Sequence, residues 1–234
     1  MAFQRAAGIL LHPTSLPGGF GIGEIGNAAF EFVDMLAESK QSIWQILPLG
    51  PTGYGDSPYA CFSAMAGNPM LIDLARLAEE GDIAGGELAQ APDLPQDHVD
   101  FGAVISYKTE ILQRAAQTFR HRADEARRGQ FDEFCGENAD WLDDFALFMA
   151  LKNAHDGSVW NTWEEGLVTR DPETLQAWRE RLDDAIFAQR YYQFQFFRQW
   201  ERLKWHAGEK GIRIVGDIPI FVAYEIGRAS CRER

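Results

Sequence analysis

The stretch Pro51-Thr52-Gly53-Tyr54-Gly55-Asp56-Ser57-Pro58-Tyr59 follows the apolar run Ile43-Trp44-Gln45-Ile46-Leu47-Pro48-Leu49 and carries two tyrosines, a serine and an aspartate on one Gly/Pro-punctuated loop. Tyr54, Ser57 and Tyr59 are the side-chain types that hold a neutral polyhydroxylated ligand: aromatic faces stack on its apolar side, and hydroxyl and carboxylate groups fix its OH groups. The structural alternative is that the tyrosines pack locally and find backbone partners within the loop. A second candidate is Asp217, the one carboxylate in the apolar run Ile212 to Ala223. Pro219 cannot donate to a central ladder, so Asp217 is expected at or beyond the C-terminal end of its strand, where βα sheets gather ligand-binding groups. Capping a following helix is its structural alternative. His12 falls at the matching end of an earlier strand, but a lone histidine is more often a hydrogen-bonded structural residue than a catalyst.

The elements that must position these groups follow from apolar spacing and breakers. Gly8-Ile9-Leu10-Leu11 reads as a first strand, ended by His12-Pro13-Thr14-Ser15-Leu16-Pro17-Gly18-Gly19. Asn27 is placed to cap a helix with apolar positions Ala29, Phe32, Val33 and Leu36, ending near Lys40. Ser42 to Leu47 gives a second strand, completing a βαβ unit. Met70 to Glu80 reads as a helix, and Ile83 to Phe101, with Pro92 and Pro95, as a surface connector. Helices are expected over Val104 to Arg128 and Asp140 to Asn153, the latter with Trp141, Leu142, Phe145, Phe148 and Met149 on one core-facing stripe. Asp171 before Pro172 and Glu173 is a helix start. A long amphipathic helix over Phe187 to Gly211, with Tyr191, Phe194, Phe197, Trp200, Leu203 and Ala207 on one face, leads straight into the third strand. The expected fold is α/β, with three βα-type strands and a largely helical insertion between the second and third. No fixed-period repeat is present.

Three further motifs have competing readings. Gly21-Ile22-Gly23-Glu24-Ile25-Gly26 fits the dinucleotide pattern G-x-G-x-x-G, but two prolines separate it from its strand and the second strand ends without an acidic ribose ligand. A turn plus helix entry is the preferred reading. Trp160-Asn161-Thr162-Trp163 fits either a stacking platform or a packed corner, and Arg127-Arg128 reads as a short solvated patch.

Composition narrows the partners. The 234 residues include 22 Lys plus Arg against 35 Asp plus Glu, a formal net charge of −13 that repels nucleic acid and anionic membranes but not a neutral ligand. No apolar run approaches the roughly 20 residues of a membrane span. Cys61, Cys135 and Cys231 are odd in number without metal spacing, which fits a reducing, cytoplasmic setting and no metal site.

Taken together, Gly8 to Gly18, Leu47 to Tyr59, Ala66-Gly67-Asn68-Pro69 with Leu71-Ile72-Asp73, Phe197-Arg198-Gln199-Trp200, and Gly216 to Ala223 resemble the amylomaltase family of 4-α-glucanotransferases. The resemblance implies a (β/α)8 TIM barrel with helical insertions. It further implies transfer of α-1,4-glucan segments between maltodextrins such as maltose, maltotriose and longer chains, by a retaining double displacement without cofactors. It places Tyr59 in the active-site cleft, Ser57 on sugar hydroxyls, Tyr54 in a nearby secondary glucan groove, and Asp217 at the end of barrel strand three. Phe101 stands where the family often has a tyrosine of that groove. On this reading residues 1–224 are the N-terminal part of the catalytic domain, with three of eight strands and an insertion at about 70–186, and 225–234 are a non-native tail. The nucleophile, acid/base and third carboxylate of the family are then expected in later strands, so the fragment is expected to be inactive and poorly soluble. Met1 lies a few residues before strand one, which favours a form without an N-terminal extension. A noncatalytic glucan-binding module and a hydrolytic (β/α)8 glycosidase are the alternatives.

Overall fold

The computed structural model describes residues 5–218. The end of the last apolar run, 219–224, and the tail, 225–234, lie outside the described residues, as does the side chain of Tyr54. Three short strands, β1 (Gly8–Leu10), β2 (Ile43–Gln45) and β3 (Arg213–Val215), form one parallel sheet in the order β1-β2-β3. Register pairs Ile9 with Trp44 and Trp44 with Ile214. Gly8 is required by this pairing, because a Cβ there would lie 2.4 Å from the Ile43 carbonyl oxygen.

Between β1 and β2 runs α1 (Asn27–Glu38), which buries Ala29, Val33 and Leu36. Trp44, fully buried at the centre of β2, meets Phe32 edge to face with centroids 5.1 Å apart. Its Nε1–H donates to the Leu11 carbonyl at 2.8 Å, tying β2 to the end of β1 beyond the ladder. Asn27 is the first helical residue rather than the cap. Gly26 takes the cap position, packed so tightly on Asp73 that a Cβ would lie 2.9 Å from its carboxyl carbon. The helix stops at Glu38, and Lys40 turns the chain with φ 56°.

Between β2 and β3 the main elements are helices joined by loops and short 3-10 turns: α2 (Leu74–Glu79), α3 (Phe101–Arg122), α4 (Glu125–Glu137), α5 (Ala139–Ala154), α6 (Glu165–Val168), α7 (Pro172–Arg181) and α8 (Asp183–Glu209). The helix expected over Met70 to Glu80 is shorter because a 3-10 turn, Pro69–Leu71, comes first and Asp73 then caps α2, accepting from the Ala75 amide at 3.0 Å. The helix expected over Val104 to Arg128 is two. Asp124 accepts from the Arg127 amide at 2.8 Å and starts α4 in a new direction. Nor is Ile83 to Phe101 only surface: Ile83 is buried, and Leu94 packs with Ile22 and Val104. Asp171 caps α7 as expected, accepting from the Thr174 amide at 2.8 Å.

At 27 residues, roughly 40 Å long, α8 joins two cores. Its Ile186 end belongs to a cluster with Leu147, Leu151, Leu167 and Leu175; its Leu203 and Ala207 end lies in the main core with Val33, Leu36 and Trp44. Gly211, at φ 72°, lets the chain leave α8 and enter β3.

Of the Arg127-Arg128 pair, Arg128 is exposed as expected but Arg127 is not solvated. Arg127 donates to both carboxylate oxygens of Asp82, at 2.9 and 2.6 Å, while Asp82 also accepts from the Tyr191 hydroxyl at 2.7 Å. Glu80 joins Arg127 to Arg198 of α8. Sequence neighbours alone concealed this, since Asp82 and Tyr191 are brought to Arg127 only by tertiary packing.

Two glutamines of α8 hold the segment that leads from the loop into α2. Gln193 accepts from the Gly67 amide at 2.7 Å and donates to its carbonyl at 3.0 Å, and Gln199 does the same for Asp73 at 2.8 and 3.3 Å. A Cβ on Gly67 would lie 2.0 Å from the Phe196 ring. Gly67→Ala should therefore cost about 1–3 kcal/mol by overpacking, read as a lower urea midpoint with unchanged slope. An unchanged midpoint would mean that the ring moves aside freely.

Candidate functional site

In a parallel sheet all strand C-termini share one edge, so the segments after Leu10, Gln45 and Val215 emerge side by side. His12, the loop 51–61 and Asp217 all lie on that edge. The loop is a tight hairpin-like excursion. Thr52 bridges Cys61 in antiparallel fashion, the Gly53 amide donates to Ala60 O at 2.8 Å, and the Phe62 amide to Pro51 O at 2.9 Å. At its tip Gly55 and Asp56 both take positive φ, 76° and 52°. That conformation is free for glycine and tolerated by aspartate, and it turns the chain back so that Ala60 pairs with Gly53.

The hydroxyl of Tyr59 donates to Oδ2 of Asp217 at 2.7 Å, across 158 residues of sequence. The other oxygen of Asp217, Oδ1, accepts from the Ile218 amide at 2.8 Å, which fixes the carboxylate plane. Both side chains remain open to solvent, and Tyr59 is 37% exposed. The bond to an anionic acceptor holds the Tyr59 phenol above its ordinary pKa, so it is a neutral donor at physiological pH. One aromatic face and one carboxylate with spare lone pairs thus meet at a single point. That pairing can stack on an apolar sugar face and accept from its hydroxyls.

Ser57 has a local role in the ligand-free chain: its Oγ accepts from the Tyr59 amide at 3.3 Å. The hydroxyl proton is left available to an incoming acceptor. Of Tyr54 only the backbone, in the 3-10 turn Tyr54–Asp56, is described.

His12 lies between two strand ends. Its Nδ1 faces the Thr14 hydroxyl at 2.7 Å and the Thr14 amide at 3.3 Å, and its Nε2 faces the Pro48 carbonyl at 3.4 Å. Burial pulls the imidazole below its ordinary pKa. Next to it a cavity of about 440 Å³ opens between residues 14–22 and 95–99, with Thr14, Ser15, Asp97 and His98 in its wall.

The glycine-rich stretch 21–26 is a packed turn that enters α1 through Gly26. A Cβ at Gly23 would lie 2.0 Å from the Pro13 carbonyl oxygen, so that glycine seats the turn on the 3-10 turn Pro13–Ser15. Glu24 from the same turn points inward, where Lys108 of α3 donates to it and, at 2.8 Å, to the Ile72 carbonyl. Burial lifts Glu24 to about 7 against the opposing pull of Lys108, and lowers Lys108. Nothing in the local sequence flags this pair. Trp163 fits the packed corner: it stacks on His155 with centroids 5.0 Å apart and donates from Nε1 to Ser158 Oγ at 3.1 Å. Phe101 opens α3 and packs against the cluster of Ile22, Leu94 and Val104.

Among the described residues no group of three or more His, Cys, Asp or Glu side chains is placed to hold a metal ion, and no helix is long and apolar enough to cross a membrane.

Residues 11–226 match the family model described as Glyco_hydro_77, 4-alpha-glucanotransferase. The chain is 49% identical over 225 residues to the 4-alpha-glucanotransferase of Synechocystis sp., covering 96% of this chain and 45% of that protein. It is 47% identical over 223 residues to the 4-alpha-glucanotransferase of Thermus thermophilus, covering 95% and 44%. The fold is similar to an amylomaltase from Streptococcus agalactiae solved in complex with acarbose, with TM-score 0.88, 38% identity, and 94% of this chain against 44% of that one. An amylomaltase from Corynebacterium glutamicum, at TM-score 0.66 and 17% identity, shares the fold. The chain thus spans less than half the length of the relatives it matches.

Proposed function

The chain belongs to the 4-alpha-glucanotransferase family, and from that premise we propose that the whole protein moves α-1,4-glucan segments from one maltodextrin to another. Its three parallel strands are read as the first three of a (β/α)8 barrel, residues 1–224 as the N-terminal part of that domain, and about 70–186 as a helical insertion. The observation that carries the site assignment is the Tyr59–Asp217 hydrogen bond, which unites an aromatic face and a carboxylate at the C-terminal edge of the sheet. The similarity to an amylomaltase that binds acarbose supports a glucan as the ligand.

The reaction class is a retaining double displacement. A carboxylate attacks the anomeric carbon as the glycosidic oxygen leaves with a proton from an acid; an acceptor hydroxyl then displaces the enzyme and returns its proton to the same group. Within that scheme Tyr59 stacks on the reacting sugar, Asp217 accepts from its hydroxyls, and Ser57 donates to a neighbouring oxygen, while Tyr54 serves a secondary groove. Their work is orientation, which matters because small displacements from the attacking geometry slow reaction steeply. No organic cofactor or metal is part of the scheme. A reducing cytoplasmic setting is included on the strength of the odd cysteine count.

Incubating the full-length protein with maltotriose tests this reading. Glucose together with maltodextrins longer than maltotriose is the expected outcome. Glucose and maltose alone would assign a hydrolase, and no turnover with retained maltotriose binding would assign a noncatalytic module.

A further inference from the structure

We propose that His12 is a positioning residue for the Tyr59–Asp217 pair, acting through the Pro48 carbonyl at the root of the loop that carries Tyr59. The partners fix its tautomer. A carbonyl oxygen only accepts, so Nε2 carries the proton toward Pro48; the Thr14 amide only donates, so Nδ1 presents its lone pair. The Thr14 hydroxyl, at 2.7 Å, then donates to Nδ1 as well. The ring is neutral in this arrangement, which agrees with its burial.

The position of Pro48 gives the contact its reach. Pro48 lies three residues beyond the end of β2 and directly before the points at which the loop is anchored: Leu49 O accepts from the Asn68 amide at 2.7 Å and Pro51 O from the Phe62 amide at 2.9 Å. Pro48 and Pro51 have no amide proton to pair, so this root has fewer ladder bonds than an ordinary strand extension. The side chain of His12 supplies a lateral tie from β1 at that point. On the other side of β2, Tyr59 supplies the tie to β3 through Asp217. His12 to Pro48 thus ties β1 to the chain leaving β2, and Tyr59 to Asp217 ties the loop after β2 to the end of β3.

This inference rests on reading Tyr59 and Asp217 as the sugar site, but its test needs no sugar. In the full-length protein, three variants separate the two jobs of the ring. His12→Gln carries an amide N–H as far from Cα as Nε2 and can reach Pro48. His12→Asn can accept only from Thr14, where Nδ1 does. His12→Ala does neither. The readout is the pH titration of the Tyr59 phenol by ¹³Cζ-tyrosine NMR, assigned by its loss in Tyr59→Phe. The His12→Gln variant should keep the titration displaced upward as in the unsubstituted chain, while His12→Asn and His12→Ala should return it to the ordinary value of about 10. If His12→Asn, with its Thr14 cap and melting temperature intact, titrates as the unsubstituted chain does, or if His12→Gln fails to preserve the displacement, the proposal is overturned. Either result leaves the glucan reading to be judged on maltotriose turnover alone.

Discussion

Lys108→Met is expected to cost the fold about 3–5 kcal/mol at pH 8 and clearly less at pH 6. Lys108 is 0% exposed and Glu24 8%, so methionine fills the stem's volume while leaving a carboxylate in the interior without its cation. The pH dependence follows from the direction of the Glu24 shift. An acid whose folded pKa stands above its ordinary value binds a proton in the folded chain at pH values where the unfolded chain has released it, so stability falls as pH rises through that window. With Lys108 present the window closes near 7, burial outweighing the attraction of Lys108. Removing Lys108 deletes both its charge and its hydrogen bond, which raises Glu24 further and carries the loss to higher pH. Asp73, also raised by burial and facing the same lysine, adds to the effect in the same sense. Urea midpoints at pH 6 and 8 measure it. A loss equal at the two pH values would show a packing defect and no buried charge, and the double variant with Glu24→Gln should remove most of the difference, leaving the smaller share of Asp73.

That pair also marks where the sequence stopped being informative. Glu24 lies in a glycine motif that says nothing of a buried ion pair and Lys108 in the middle of a helix, and only the packing of α3 onto the turn before α1 brings these residues, 84 apart in sequence, into contact. The same holds for Arg127, whose neighbours Arg128 and Asp124 suggest solvent while its real partner, Asp82, is 45 residues away. Periodicity located α5 and α8 within a few residues, because each has a long apolar stripe, and the cap at Asp171 marked the start of α7. It missed the break between α3 and α4, where Asp124 in a continuous helical pattern became a cap instead of an interior residue. The strands were placed correctly but are three residues each, since the prolines and glycines that follow them end pairing early. Of the candidate site, the loop and the carboxylate were both legible as residue types at the ends of apolar runs. That they would meet required the parallel order β1-β2-β3, which puts the β2 loop next to the end of β3.

Asp217→Ala in the full-length protein should lower maltotriose disproportionation by about 10²-fold while leaving the thermal midpoint nearly unchanged. The two halves of that expectation come from the same geometry. Asp217 is exposed, and its bonds to Tyr59 and Ile218 are surface hydrogen bonds whose loss water can make good, so little stability depends on it. On the proposed reading a bound sugar displaces that water, and the same carboxylate then fixes both the sugar hydroxyls and the Tyr59 ring. Tyr59→Phe separates these duties: it keeps the stacking face, deletes the bond to Asp217, and should lose less activity than Tyr59→Ala. If Asp217 and Tyr59 work as a unit, the double variant Asp217→Ala with Tyr59→Phe should be scarcely worse than Asp217→Ala alone, because the hydroxyl has lost its acceptor already. Fully multiplicative losses in kcat/KM would mean that the two groups contact the glucan independently and that their mutual hydrogen bond belongs only to the empty site.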